Sequence, residues 1–200
     1  MFLDNINKYR LILASKSPRR QQLLRDLGLK FEVSVKDYAE VCPDDLSGED
    51  IALYLSREKA KCFRNDINRN EIIITADTIV WSEGRVLSKP AEAEEARLML
   101  RDLSDKTHEV ITGVTLLSLA GERTFSDTTE VTFDSLSDDE IDYYIEQYKP
   151  FDKAGAYGIQ EWLGLAACSR IEGSFFNVVG LPVNKFFREL QSLVSEMKLT

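Results

Sequence analysis

Two neighbouring arginines open a helix in the stretch LILASKSPRRQQLLRDLG, residues 11–28. Arg19 and Arg20 follow Ser17 and Pro18, where the free N–H groups of a first helical turn already carry positive partial charge. Acidic residues are the usual choice at such a place. An anion seated between the guanidinium groups and the backbone N–H groups removes the conflict and turns it into a binding site.

Asp77 is the second residue of chemical interest. It follows the apolar run EIIITA, which puts a carboxylate at the end of a buried strand, where charge needs a partner. A functional acid satisfies that need, and so does a paired structural aspartate or an Asx turn. An aspartyl phosphotransferase would carry another Asp two positions on, and Ile79 stands there. Among the cations, Lys89 is presented by a loop that Pro90 fixes. Lys59, with Arg57, Glu58 and Lys61 around it, and Lys153, beside Asp152, read as solvated faces.

Several other chemistries are excluded by what the chain lacks. It has no G-x-x-x-x-G-K-[ST] and no G-x-G-x-x-G after a strand, which removes the P-loop and the dinucleotide fingerprint. One histidine, His108, cannot build an H-E-x-x-H or three-histidine zinc site, and without a G-x-S-x-G elbow it serves no serine hydrolase. Its place in Thr-His-Glu-Val suggests a structural or capping role. Cys42, Cys62 and Cys168 lie far apart with no C-x-x-C spacing, so neither a disulfide framework nor a zinc site is expected, and a reducing cytoplasm fits. Lys plus Arg number 25 against 34 Asp plus Glu, and the resulting charge of −9 argues against nucleic acid and anionic membrane as partners. No apolar run reaches the ~18 residues of a membrane span, and the N-terminus shows no apolar leader core. A soluble cytoplasmic chain is expected, with residues 1–200 as a single domain of two lobes.

The reactive residues need a frame, and the hydrophobic pattern supplies one. LILAS reads as a strand buried on both faces; Ser17 caps the following helix, Pro18 opens it, Leu23, Leu24 and Leu27 face the core and Gly28 stops it. FEVSV alternates as a half-buried strand, and KDYAEVCPDDLSGED reads as a loop. SGEDIALYLSREKAKCF is a helix with Ser47 and Asp50 spaced like a capping box. EIIITADTIVWSEGRVLSKP holds a strand, a Ser-Glu-Gly turn and a short return strand. AEAEEARLMLRDLS is an amphipathic helix with Ala96, Leu98, Met99, Leu100 and Leu103 as its apolar residues. EVITGVTLLSL and RTFSDTTEVTFDSL flank the turn AGE as an antiparallel pair, and Ser137 to Glu140 forms a capping box before DDEIDYYIEQY. A region rich in glycine and aromatics follows from residue 151, and NKFFRELQSLVSEMK closes the chain as a helix. This order is α/β with a mixed rather than purely parallel sheet.

Taken in order, LILASKSPRRQQLLRDLG, EKA at 58–60, ADTIV at 76–80, KP at 89–90, DKAGAYGIQ at 152–160 and GSFFNVVGLPV at 173–183 resemble the Maf family of nucleoside triphosphate pyrophosphatases. The match runs over about residues 10–190, and the ordered set is specific although each motif alone is weak. The resemblance implies a Maf/ITPase-like mixed β-sheet with flanking helices and two lobes around a deep cleft. It implies hydrolysis of a nucleoside triphosphate to monophosphate and pyrophosphate with Mg²⁺ or Mn²⁺, often by a homodimer. Asp77 matches the family's proposed catalytic acid. Arg19, Thr78 and Gln160 match positions tied to substrate choice, and Ser15, Arg20, Lys59 and Lys89 match phosphate-side residues. Glu40 falls where the family has an acid that helps to hold the metal together with Asp77; KDYAEV replaces the usual adjacent acids there, which makes Asp37 a second candidate.

DKAGAYGIQ is similar to the family's dTTP- and UTP-preferring branch rather than to the branch that prefers N7-methylated GTP. The Gln160 amide also suits the task, offering a donor and an acceptor to the edge of uracil or thymine. The alternatives are N7-methyl-GTP or another modified nucleotide as substrate, and a non-catalytic nucleotide-binding regulator of septum formation.

Overall fold

The computed structural model describes residues 2–38, 41–43 and 45–197. In chain order the elements are α1 (Phe2–Ile6), β1 (Arg10–Leu13), α2 (Pro18–Asp26), β2 (Phe31–Val33), α3 (Glu49–Lys61), β3 (Glu71–Ser82), β4 (Arg85–Leu87), α4 (Ala93–Leu103), β5 (Thr107–Ser118), β6 (Gly121–Phe133), α5 (Asp138–Tyr148), α6 (Trp162–Ala166), β7 (Cys168–Glu172), α7 (Phe175–Val179) and α8 (Val183–Met197). The sheet is mixed, in the order β2-β1-β3-β5-β6-β7 with β4 against β3. β1 runs parallel to β2 and β3, while β4 and β7 run antiparallel to β3 and β6. The chain divides into two compact units: a first unit of residues 1–77, 112–127 and 180–200, and a second of residues 78–111 and 128–179.

In the first unit, Leu11, Ile12 and Leu13 are buried as the apolar run requires. Ile12 joins Ala60, Phe63, Ile73 and Leu117 in one cluster, which ties α3 to the sheet. That approach is close: a Cβ on Gly113 would lie 2.1 Å from the Ala52 carbonyl oxygen, so the helix backbone takes the space a side chain would occupy. Ser17 caps α2 by accepting from the Arg20 N–H, Pro18 is its first residue, and Gly28 follows at φ +72°. Two expectations fail here. Ser47 is not the cap of α3, because Gly48 at φ 47° takes that position with no side-chain hydrogen bond. FEVSV forms only the three residues of β2, with Val33 exposed.

In the second unit, Ala96, Met99, Leu100 and Leu103 of α4 and Ile141, Tyr144 and Ile145 of α5 share a core with Val131 and Phe133 of β6. Leu98, expected inward, is 57% exposed; at 100° per residue it falls off the stripe that positions 96, 99, 100 and 103 define. The β3–β4 hairpin turns through Glu83 and Gly84, both at positive φ, as a two-residue hairpin requires. The capping box of α5 is present in full. His108 is buried, its Nε2 paired with the Tyr157 hydroxyl at 2.7 Å, and desolvation lowers its pKa to about 4. Its role is structural.

Candidate functional site

The first unit holds Ser15, Arg20, Lys59 and Asp77. The Ser15 hydroxyl accepts from the Ser17 N–H at 3.2 Å and from Arg20 Nη1 at 3.4 Å, which folds the turn back on the helix it precedes. Arg20 Nε donates to the Gly180 carbonyl at 2.8 Å, so its guanidinium is aimed by backbone from the far end of the sequence. Burial lowers the Arg20 pKa from its ordinary value; the Asp77 carboxylate and Tyr38 oppose this, while the Arg19 cation adds to it. An arginine in such a place stays charged and presents its donors to whatever anion arrives.

Asp77 does not end its strand. β3 pairs with β1 through Ile74 and with β4 from Val80, so Asp77 and Thr78 lie in the interval between the two pairings, on a strand that runs on to Ser82. Both residues are half-buried, whereas Glu71 to Ala76 before them are buried. Lys59, on α3, donates to Asp77 Oδ1, with both side chains only 16% exposed. Its ammonium also stands 5.4 Å from the centre of the Tyr38 ring. The solvated-face expectation for Lys59 is therefore overturned: the turn of α3 that carries it faces β3. A carboxylate held this way can accept a proton from water or orient it, and the pair equally satisfies a structural aspartate.

The implied metal finds little among the described residues. No group of three or more His, Cys, Asp or Glu side chains is arranged to hold an ion. Of the expected ligands, Asp77 faces Lys59, Asp37 is exposed and Glu40 lies outside the described residues. The described donors do not by themselves form a resident metal set.

The second unit carries Thr78, Lys89 and Gln160. Lys89 is exposed just beyond β4, with Pro90 buried behind it, and the neighbouring Ser88 carbonyl accepts from the Gly155 N–H at 3.2 Å. Gln160 sits in a tight turn closed by Glu161 N–H donating to the Gly158 carbonyl at 2.9 Å. It is the single exposed residue from Lys153 to Leu163.

Three residues that hold that turn were not legible as its support from sequence. The Tyr144 hydroxyl accepts from the Gly158 N–H at 2.9 Å and donates to Glu161 Oε2. Lys153 Nζ lies 3.2 Å from Glu161 Oε1 and 2.7 Å from Asp152 Oδ1. Lys153 is 7% exposed, so it too is no solvated cation. Burial and the Glu161 hydrogen bond raise the Tyr144 pKa far above its ordinary value, leaving a neutral phenol that can donate. The available signal was a tyrosine on the core stripe of α5, where a phenol must find partners.

A model of the family described as Maf-like protein matches residues 10–193. A dTTP/UTP pyrophosphatase of Phocaeicola vulgatus is 55% identical over 96% of this chain and the whole of that protein. Proteins of the same description from Porphyromonas gingivalis, 50% identical over 94% of this chain and 96% of theirs, and Flavobacterium johnsoniae, 48% identical over 97% and the whole length, are also similar.

Proposed function

This chain belongs to the Maf-like family, and we propose that it hydrolyses dTTP and UTP to the nucleoside monophosphate and pyrophosphate. The observation that carries the proposal is the 55% identity to a dTTP/UTP pyrophosphatase along that protein's whole length. The grouping of Arg20, Lys59 and Asp77 in the first unit supports it from the side of chemistry.

In this reading the Ser15–Arg20 turn cradles the triphosphate, its N–H groups and guanidinium forks sharing the charge. Asp77, held by Lys59, takes the proton of the attacking water as the bond to pyrophosphate breaks. Lys59 and Lys89 offset the charge that builds on the leaving pyrophosphate. Arg19, Thr78 and Gln160 set substrate choice, with the Gln160 amide meeting the pyrimidine edge. The two-lobed cleft implied by the resemblance belongs to this reading. Mg²⁺ or Mn²⁺ belongs to it as an ion that enters with the triphosphate, and no step above depends on it.

The test is pyrophosphate release from dTTP, UTP, GTP and N7-methyl-GTP with each metal. Turnover highest with dTTP and UTP is expected. A preference for N7-methyl-GTP moves the chain to the other branch, and binding of all four without turnover restores the regulator.

A further inference from the structure

Gln160 is the only exposed residue in an otherwise withdrawn stretch, and something must fix the direction in which it points. The turn that carries it runs from Gly158 to Glu161, and one atom, the Tyr144 hydroxyl oxygen, holds both ends: it accepts from the first residue's N–H and donates to the last residue's carboxylate. We infer that Tyr144, with Glu161 and the buried Lys153, is the positioning group for base selection, acting through Gln160.

The surroundings leave the turn little freedom. Tyr144 is fully buried on α5, so its hydroxyl is a fixed point rather than a mobile partner. A Cβ on Gly158 would stand 2.8 Å from Glu161 Cδ, so the carboxylate lies directly over the turn's first residue. Lys153 binds the other oxygen of that carboxylate, which leaves neither oxygen unengaged. Beyond the turn, a Cβ on Gly164 would reach within 1.9 Å of the Ile159 carbonyl, so α6 presses on the turn from its other side. Ile159 and Leu163 are buried on either side of Gln160. A side chain that discriminates by hydrogen-bond direction needs such a support, because those bonds weaken steeply with angle.

The inference rests on Gln160 reading the base, and its test separates the two. Tyr144→Phe keeps the ring and its packing and removes both hydrogen bonds. The ratio of kcat/KM for UTP over GTP should fall about tenfold, most of it in a higher KM for UTP. In a Gln160→Ala background the same change should move that ratio less than about twofold, since there is no amide left to aim. A selectivity loss that multiplies in the double variant, or an unchanged ratio in Tyr144→Phe when Gln160→Ala alters it, overturns the inference and leaves the base-reading role intact. An unchanged ratio in Gln160→Ala overturns both. Should Tyr144→Phe fail to fold, as judged by its thermal transition, Glu161→Gln carries the same expectations, because it weakens the hold on the phenol and on Lys153 together.

Discussion

The two units hold their candidate residues in opposite ways. In the first, the charged groups hold one another: Lys59 binds Asp77, and Arg20 feels Asp77 and is steadied by Ser15. In the second, the residue of interest stands apart from its support: Gln160 is exposed while a phenol, a carboxylate and a buried ammonium hold the turn beneath it. In the proposed reading the difference follows from what each part of the nucleotide demands. A charge falls off gently with distance and tolerates approximate placement, whereas the edge of a base must be met in line. Asp77 and Arg20 in the first unit should therefore govern how fast any nucleotide is cleaved, and Gln160 in the second which nucleotide is cleaved.

The largest effect expected is on rate. Asp77→Asn keeps the shape of the side chain but cannot accept a proton as a carboxylate does, and kcat for UTP and GTP alike should fall about 10²–10⁴-fold. A loss under about tenfold in stopped turnover assays would return Asp77 to a structural ion pair with Lys59. Arg20→Ala comes next. Loss of a charge-assisted contact worth about 1.5–3 kcal/mol should slow every nucleotide by roughly ten- to a hundredfold while the UTP-to-GTP ratio stays level. A shift in that ratio would break the division of labour between the units, since Arg20 would then be reading the base.

The smallest effect concerns acid. Because burial holds His108 at about 4, below the ordinary 6.5, the unfolded chain binds the proton first as pH falls through that window. Stability is thus complete above about pH 6.5 and declines below it, by roughly 1 kcal/mol at pH 6 relative to pH 8. Thermal melts at the two values should show the decline, and His108→Gln should flatten it.

Local grammar was the legible part. Ser17 with Pro18, the Ser137–Glu140 box, the Glu83–Gly84 turn and the stripe of α4 are each written within a few residues, and the chain obeys them. Leu98 shows where such a rule was applied too loosely, since high helix propensity says nothing of which face a leucine takes. What was hidden depends on partners far along the chain. Lys59 and Lys153 look solvated beside their charged neighbours, and only α3 meeting β3, or α5 meeting the Gly158 turn, shows them withdrawn from water. The elements between residues 161 and 180 were missed because α6, β7 and α7 are five residues each, too short for a hydrophobic period to declare itself.

The path of the chain between the units carries a consequence for how the protein is made. The backbone passes from one unit to the other after Asp77, Ile111, Asp127 and Val179, so neither corresponds to a single stretch of gene that could be excised or fused elsewhere. All of the second unit has been synthesised by Val179, but the first awaits α8, Val183–Met197, whose Phe186 and Leu190 are fully buried. On the ribosome the residues of the second unit are thus all present before those of the first, which still awaits α8. A message truncated near residue 180 would supply every residue of the second unit, Gln160 included, and leave the first without α8.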